Sequence, residues 1–233
     1  MFGSSLGLAE RYADLLAGPG VERGLIGPRE AARLWERHIM NCAALAELVP
    51  HPSSVIDLGS GAGLPGIVIA ILIPDARVVL LEPMARRAAF LEECVADLCL
   101  PNATVRRGRA EDLAGELVAD VVVARAVAPM QRLAGLALGL VRPAGLVLAL
   151  KGAGAEQELA RARPALRRLG ARDAAVVQAG SGRVSPPATV VRLTAGSAVS
   201  RRRRSLAPAR TGARQGRAAG KARTPGTPGG AAT

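Results

Sequence analysis

Apolar positions recur along the chain with two different spacings. Over residues 8–18 and 28–48 they recur every three or four positions, which predicts an N-terminal helical cap over residues 1–50. From Ser54 onward, short apolar runs alternate with amphipathic stretches. The runs predict strands over 55–58, 78–81, 103–106, 120–124, 146–150, 174–177 and 188–193, and the stretches between them predict helices over 65–73, 85–98, 110–117, 129–141 and 155–169.

The alternation of strand and helix indicates the fold class. Helical connections of this length join parallel strands, so we predict an α/β fold with a seven-stranded, mostly parallel sheet and helices on both faces, over residues 51–196. Only a turn rich in Gly, Ser and Pro separates the last two runs, so these two strands are expected to form an antiparallel hairpin at one edge. The chain has only four aromatic residues, and a core of Val, Leu, Ile and Ala suits buried parallel strands.

Charge is distributed unevenly between this region and the end of the chain. Residues 197–233 contain nine basic residues and no acidic one, including the run Arg201, Arg202, Arg203 and Arg204. Removing these nine from the 31 basic residues of the chain leaves 22 against 19 acidic residues, so most of the net charge of +12 lies in this segment. The segment is rich in Gly, Pro and Ala and has no apolar periodicity, which predicts a disordered basic tail.

The cysteines, histidines and apolar runs argue against a disulfide-bonded, metal-binding, exported or membrane-spanning protein. Cys42, Cys94 and Cys99 form no Cys-x-x-Cys pair, and the two histidines, His38 and His51, have no further ligand at metal spacing, so we expect reduced thiols and no metal site. The first 20 residues lack the pattern of an export signal. The longest apolar run, 67–73, is too short for a membrane span, so a soluble cytoplasmic protein is expected.

The most informative stretch begins at the first predicted strand. Val55-Ile-Asp-Leu leads into Gly59-Ser-Gly-Ala-Gly-Leu-Pro-Gly66, and a helix follows. Glycines permit a sharp turn and a close approach of ligand to backbone, and the helix directs free amide groups toward that ligand. Gly61-x-Gly63-x-x-Gly66 also matches the dinucleotide fingerprint. Asp57, two residues before Gly59, favours the cationic methionine portion of S-adenosylmethionine, because a carboxylate there would repel a pyrophosphate.

Two further acidic positions follow later strands. Glu82 ends the second run, where a carboxylate accepts hydrogen bonds from both ribose hydroxyls of a bound nucleoside; the alternative is a solvated carboxylate. Ala110 and Glu111 open a helix after the third run. They are interpreted either as contacts to an adenine or as an ordinary helix start with favourable acids in its first turn.

Several ordered motifs together resemble the RsmG/GidB family of bacterial enzymes. They are Arg37-His-Ile-Met-Asn41, the stretch from Asp57 to Gly66, Arg86-Arg-x-x-Phe-Leu91, Arg109-Ala-Glu111, Arg125-Ala-Val-Ala128 and Lys151-Gly152. The resemblance covers residues 8–195, and it departs from the family at Arg86, where Lys is common. It implies a Rossmann-like class I methyltransferase that methylates N7 of a guanine in 16S ribosomal RNA, within a small-subunit particle. It further implies that Gly59, Leu64, Ala110, Glu111 and Arg125 contact S-adenosylmethionine; with the turn, Asp57, Gly61 and Glu82 complete the expected cofactor site.

Other positions are expected to serve the RNA or the reaction. Guanine N7 loses no proton on methylation, so no general base is expected and no catalytic residue is assigned, although Arg125 at the end of the fourth run is a candidate for positioning. Lys151 is a candidate phosphate contact. His38 is interpreted either as a residue near the RNA or the cofactor or as a structural histidine. Arg201 to Arg204 are expected to add salt-dependent RNA affinity, and a monomer is favoured.

Two alternatives remain open on the residues alone. The glycine turn and Glu82 also fit an NAD(P)-dependent oxidoreductase, although Tyr12 is the only tyrosine and no Tyr-x-x-x-Lys motif is present. A noncatalytic RNA-binding protein of ribosome assembly is the second alternative.

Overall fold

A single seven-stranded sheet organises the chain in the computed structural model, which describes residues 1–197. The strands are β1 Ser54–Leu58, β2 Arg77–Glu82, β3 Ala103–Arg107, β4 Ala119–Arg125, β5 Val141–Lys151, β6 Ala171–Ala179 and β7 Ala188–Ala195. Their spatial order is β3-β2-β1-β4-β5-β7-β6. Strands β1 to β5 pair in parallel, and β7 pairs antiparallel with both β5 and β6. The predicted fold class, including the edge hairpin, is confirmed. The predicted basic tail with Arg201 to Arg204 lies outside the described residues.

Helices cover both faces of this sheet. They are α1 Leu6–Leu15, α2 Pro28–Ala31, α3 Met40–Ala46, α4 Gly66–Leu72, α5 Ala85–Asp97, α6 Ala110–Leu113, α7 Met130–Ala137 and α8 Ala155–Leu169. Successive residues of a strand point to opposite faces. In β4, accordingly, Val121 and Val123 join the core with α1, α3, α4 and α5, whereas Val122 and Ala124 join the core with α6, α7 and α8.

The N-terminal helices are more broken than the apolar spacing predicts. One helix over 28–48 was the expectation, but α2 ends at Ala31, a wide π-helical turn spans Leu34–Ile39, and α3 follows. The wider turn keeps Leu34, His38 and Ile39 buried. Similarly, α1 ends at Leu15 and passes into a π-helical turn over Leu16–Gly20, which contains a proline. Apolar spacing does not register the extra residue of a π-helical turn, so it predicts a longer regular helix.

Other element boundaries also differ from the prediction. The helix predicted over 110–117 ends at Leu113, because Ala114 has an extended ψ of 121° and Gly115 a φ of 83°. The helix predicted over 129–141 ends at Ala137, and Val141 already begins β5. Strand β5 starts five residues before the predicted 146–150 run. The prediction missed this start because the positions that follow Val141 are exposed and carry no apolar signal. The helix predicted over 155–169 is confirmed, and Gly170 ends it with a φ of 96°.

The N-terminal helices pack into the same core as the sheet. Tyr12, Leu16, Ile39 and Leu45 are fully buried together with side chains of α4 and β2. The N-terminal helices therefore share one core with α4 and the sheet, and Tyr12 of α1 reaches Ala62 in the glycine-rich turn. The division of the chain at residues 50 and 196 stays a prediction. Over residues 1–197, none of the helices combines the length and the apolar character that crossing a bilayer requires.

Candidate functional site

The glycine-rich turn joins the end of β1 to the start of α4. Gly63 has a φ of 101°, and a Cβ there would lie 2.8 Å from the Tyr12 hydroxyl. At Gly66 a Cβ would lie 2.6 Å from Oδ2 of Asp57. Real Cβ atoms do not approach other atoms this closely, so both positions require glycine. The turn is therefore packed tightly from beneath by Asp57 and from the side by Tyr12.

Asp57 fixes the beginning of α4. Its Oδ2 accepts a hydrogen bond from the Gly66 N–H at 3.0 Å, and the residue is fully buried. Its Oδ1 has no hydrogen-bond partner within residues 1–197. Burial raises the pKa of this carboxyl to about 7. The sequence predicts a direct contact of Asp57 with the cofactor; the structure places the side chain fully buried beneath the turn with Oδ1 unpartnered, and the contact stays a prediction.

Glu82 holds the same turn from the end of β2. Its Oε2 accepts a hydrogen bond from the Gly61 N–H, and its Oε1 accepts one from the Met84 N–H, each at 3.0 Å. The residue is only 2% exposed, so the alternative of a solvated carboxylate is wrong. Both oxygens accept from backbone amides at the carboxyl edge of the sheet, and each retains a further lone pair.

Tyr12 braces the turn, a role that the sequence analysis did not assign. Its hydroxyl donates to the Ala62 carbonyl oxygen at 2.8 Å, and the side chain is fully buried. Burial raises the pKa of this phenol well above its ordinary value, so it remains a donor. The only signal in the sequence is the position of this single tyrosine within a predicted helix, and no local pattern connects that helix to residue 62.

A cavity of about 300 Å³ lies over the turn. We call it the turn cavity; its walls include Gly59, Gly61 and Leu64 from the turn, and His38, Arg87 and Arg125 opposite them. Four predicted cofactor positions, namely Gly59, Gly61, Leu64 and Arg125, are thus brought together around one space. Arg87, from α5, is a wall residue that the sequence analysis named only as part of a motif.

Arg125, His38 and Glu30 form a chain of hydrogen bonds along one wall of the turn cavity. The Arg125 guanidinium donates to Nδ1 of His38, and Nε2 of His38 lies 2.8 Å from Oε2 of Glu30. A guanidinium only donates, so Nδ1 must accept and Nε2–H must donate to Glu30. Burial, and then the nearby Arg125 charge, lower the pKa of His38. His38 is therefore a neutral bridge that orients Arg125 at the end of β4, and its predicted place near the RNA or the cofactor stays a prediction.

A second, larger cavity of about 760 Å³ shares Arg125 and Ala126 with the turn cavity. We call it the hairpin cavity, because one wall comes from β6, β7 and the segment between them. Arg33, Arg37 and Asn41 form the opposite wall, and the carboxyl end of β5 forms the floor. Ligands of open α/β sheets bind at the carboxyl ends of the strands, which is where both cavities lie.

Lys151 lies at the hairpin cavity but is engaged within the protein. Its Nζ donates to the Ala128 carbonyl at 3.1 Å and to Oε1 of Glu158 at 2.9 Å. The same Glu158 oxygen accepts from the Met130 N–H at 2.6 Å. Lys151 thus ties the loop after β4 to α8, and one ammonium N–H is left for another acceptor. The phosphate contact of Lys151 stays a prediction.

Ala110 and Glu111 follow the strand that pairs with Glu82, and they line neither cavity. They begin α6 immediately after β3, whose last residue Arg107 pairs with Glu82. Ala110 is buried and Glu111 is exposed. Their predicted contact with an adenine stays a prediction. Within the described part of the chain, no group of three His, Cys, Asp or Glu side chains lies close enough together to hold a metal ion.

Comparison with known proteins agrees with this architecture. The family model described as rRNA small subunit methyltransferase G matches residues 6–185. The chain is 57% identical over 199 residues to "Ribosomal RNA small subunit methyltransferase G" of Thermobifida fusca, covering 85% of this chain and 84% of the relative. It is 54% identical over 197 residues to the protein of the same name from Streptomyces coelicolor, covering 84% and 82%.

A solved structure supports the fold independently. The S-adenosylmethionine-dependent O-methyltransferase of Thermotoga maritima superposes with a TM-score of 0.55 at 15% identity, over 72% of this chain and 70% of that one. At this identity the likeness concerns the fold alone. The family match and the two close relatives go further and confirm the resemblance that the motifs indicate. With a family model spanning most of its length and relatives above 50% identity, the chain belongs to the rRNA small subunit methyltransferase G family.

Proposed function

We propose that this protein transfers a methyl group from S-adenosylmethionine to N7 of a guanine in 16S ribosomal RNA. The observation that carries the proposal is the turn cavity itself, formed by the glycine turn and Arg125 in a chain that is 57% identical to a named small-subunit rRNA methyltransferase. The family supports a methyltransferase acting on small-subunit RNA. The choice of guanine N7 comes from the resemblance stated above.

The residues present fit S-adenosylmethionine. The turn cavity, at about 300 Å³, is within the range of roughly 300–1,000 Å³ that small-molecule sites occupy. Gly59, Gly61 and Leu64 offer backbone approach, and Arg125 offers a cation to the carboxylate of the methionine portion. The unpartnered Oδ1 of Asp57 is an acceptor beneath the turn. Glu82, Ala110 and Glu111 complete the proposed cofactor site, on the ribose and adenine side.

Methyl transfer to N7 requires the protein to position the methyl donor and the base, and it requires no proton transfer. Bound S-adenosylmethionine supplies an electrophilic methyl group: its bond to sulfur breaks as a bond to N7 forms, the electron pair stays on sulfur, and no proton is released. Nδ1 of neutral His38 accepts a hydrogen bond from the Arg125 guanidinium, which holds Arg125 in place and leaves other N–H groups of Arg125 for a carboxylate. The tightly packed turn excludes water from one side of the site. No general base is required of this chain.

The proposed partner is the small-subunit ribonucleoprotein particle, which places the protein in the cytoplasm. Half-exposed arginines at the mouth of the hairpin cavity, Arg33 and Arg37, are suited to phosphate contacts. Lys151 offers its remaining N–H to the same rim, and Arg201 to Arg204 are proposed to add affinity that depends on salt. A monomer is the proposed state.

Methyl transfer to ribosomal particles tests the proposal. Small subunits carrying unmethylated 16S RNA are incubated with the full chain and S-adenosylmethionine labelled in its methyl group, and the modified nucleoside is identified by mass spectrometry. Label is expected in 7-methylguanosine at one site. Label in a different nucleoside would refute the N7 assignment, although the protein would still be a methyltransferase. No label, together with no calorimetric binding of S-adenosylhomocysteine, would refute the function. Binding of NAD instead would favour the oxidoreductase.

A further inference from the structure

The hairpin cavity is large, charged and adjacent to the proposed methyl donor. Its lining carries Arg33, Arg37, Arg125 and Lys151 against the single carboxylate of Glu36. A volume of about 760 Å³ is suited to a whole nucleotide rather than to an ion. Because Arg125 and Ala126 line both cavities, a base in this space lies next to the turn cavity.

Enzymes that modify a base inside folded RNA commonly take that base out of its stack and hold it in a pocket. Such pockets hold the base between flat surfaces, and an arginine guanidinium serves as one of them. The hairpin cavity has no aromatic residue in its lining, but it offers the Arg125 guanidinium on one wall and the rings of Pro186 and Pro187 on another. A flat heterocycle can therefore be accommodated without an aromatic platform.

Two amides in the lining have one free end each. The Nδ2 group of Asn41 donates to the Arg37 carbonyl oxygen at 2.9 Å, which fixes its orientation and leaves Oδ1 as an acceptor. Oε1 of Gln178 accepts from the Thr189 hydroxyl at 3.3 Å, which leaves Nε2 as a donor. The Watson–Crick edge of guanine presents N1–H and N2–H₂ donors beside the O6 acceptor, whereas adenine presents an acceptor at N1. An acceptor facing position 1 of a purine and a donor facing position 6 match guanine, whereas adenine presents the reverse pair there, an acceptor at N1 and a donor at N6; neither contact uses N7.

We propose that the hairpin cavity binds the target guanosine, extruded from the RNA, and that Asn41 selects guanine by accepting from its N1–H, while Gln178 donates to O6. This inference rests on the proposed function, because the base must face the methyl donor. Arg33 and Arg37 contact the phosphates that flank the base. Their present partners are the exposed Glu36, at 3.6 Å, and the partly exposed Glu30, at 3.0 Å. Ion pairs at such positions contribute little, so both guanidiniums are available to phosphate.

Substitutions of Asn41 test the base contact in the full chain. Asn41→Ala removes the acceptor and is expected to lower kcat/KM for unmethylated small subunits by about 10- to 100-fold, the range of one good base contact. Asn41→Gln keeps both an amide donor for the Arg37 carbonyl oxygen and an acceptor for the base, and is expected to retain more activity than Asn41→Ala. Both variants are expected to bind S-adenosylhomocysteine normally, because Asn41 does not line the turn cavity.

A binding measurement separates base selection from activity. Protein saturated with S-adenosylhomocysteine is titrated with guanosine 5′-monophosphate and with adenosine 5′-monophosphate. A preference for guanosine of about fivefold or more is expected, and Asn41→Ala is expected to abolish it. Equal binding of the two nucleotides by the unsubstituted protein, or full activity of Asn41→Ala, would overturn the proposal. Loss of S-adenosylhomocysteine binding in Asn41→Ala would also overturn it, because Asn41 would then serve the cofactor site.

The phosphate contacts have a matched control. Arg33→Ala and Arg37→Ala are each expected to weaken binding to small subunits and to reduce the slope of log affinity against log salt by about one. Arg77→Ala removes an exposed arginine at the start of β2, at the opposite edge of the sheet, and is expected to change neither quantity. If the unsubstituted protein methylates small subunits while all these variants behave like it, only the nucleotide site is refuted. If the unsubstituted protein does not methylate them, the proposed function itself fails.

Discussion

Removing the hydroxyl of Tyr12 is expected to loosen the glycine turn. In Tyr12→Phe the ring stays in its buried site, but the Ala62 carbonyl oxygen loses the donor that lies at 2.8 Å. A buried polar group left without its partner costs about 1–3 kcal/mol of stability. For a chain of this length each kcal/mol corresponds to about 2–4 °C, so Tm is expected to fall by roughly 2–12 °C. If the ligand must spend about 1 kcal/mol of binding free energy to order the loosened turn, affinity for S-adenosylhomocysteine falls about fivefold.

Thermal unfolding and calorimetry measure these two effects. Tm is recorded with and without saturating S-adenosylhomocysteine, and Kd is measured by titration. Thr104→Val is the control, because it removes an exposed hydroxyl from β3 and is expected to change stability by no more than about 0.5 kcal/mol. If Tyr12→Phe matches the control in both Tm and Kd, the hydroxyl does not brace the turn. If Tm falls but Kd does not change, the brace is structural and the turn geometry is not what limits binding.

Three further predictions follow from the site. Gly66→Ala is expected to destabilise the protein by more than about 3 kcal/mol, since its Cβ would overlap Asp57; a Tm within 2–4 °C of the parent (about 1 kcal/mol) would contradict the tight packing. Affinity for S-adenosylhomocysteine is expected to weaken as pH falls through about 7, where the Asp57 carboxyl is protonated, and further below 6.5 toward the lowered pKa of His38, because the neutral ring that accepts from Arg125 predominates above that range. In His38→Asn, whose amide oxygen replaces Nδ1, the pH dependence of calorimetric Kd below 6.5 should be reduced, and an unchanged pH dependence in this variant would exclude His38 as a source of it. Lys151→Met leaves the partly buried carboxylate of Glu158 unpaired. It is expected to lower the free energy of unfolding in urea by about 1–3 kcal/mol with little change in the Kd for S-adenosylhomocysteine, and an unchanged free energy of unfolding would show that the ion pair does not stabilise the fold.

Local sequence was sufficient for the parts of the fold that depend on neighbouring residues. Five of the seven strands have no more than eight residues and are separated by turns or helices, and the turn from Gly59 to Gly66 lies where its glycines place it. Family motifs also led to the correct family. The predicted boundaries were wrong where part of a strand is exposed to solvent. Arg142, Pro143 and Ala144 are exposed within β5, so their hydrophobicity does not indicate a strand.

The arrangement of the site depends on contacts that local patterns do not encode. Nothing near Tyr12 in the sequence indicates that its hydroxyl reaches residue 62, and nothing near His38 indicates that it orients Arg125. Lys151 had the right position for a phosphate contact, but the carboxylate that engages it comes from the following helix. Side-chain partners that are far apart in sequence are fixed by packing, and packing becomes visible only once the helices and the sheet are in place.

The pairing of His38 with Arg125 spans 87 positions of the chain, and that of Tyr12 with Ala62 spans 50. During synthesis the amino-terminal helices emerge first. The contact of Tyr12 can form only after residue 62 has been made, and that of His38 only after the fourth strand has been made. The wall formed by β6 and β7 arrives later still. Contacts between such distant parts of a chain form slowly, because a long loop must close before they stabilise anything. A nascent chain released before its final strands would carry the glycine-rich bend without a completed chamber beside it.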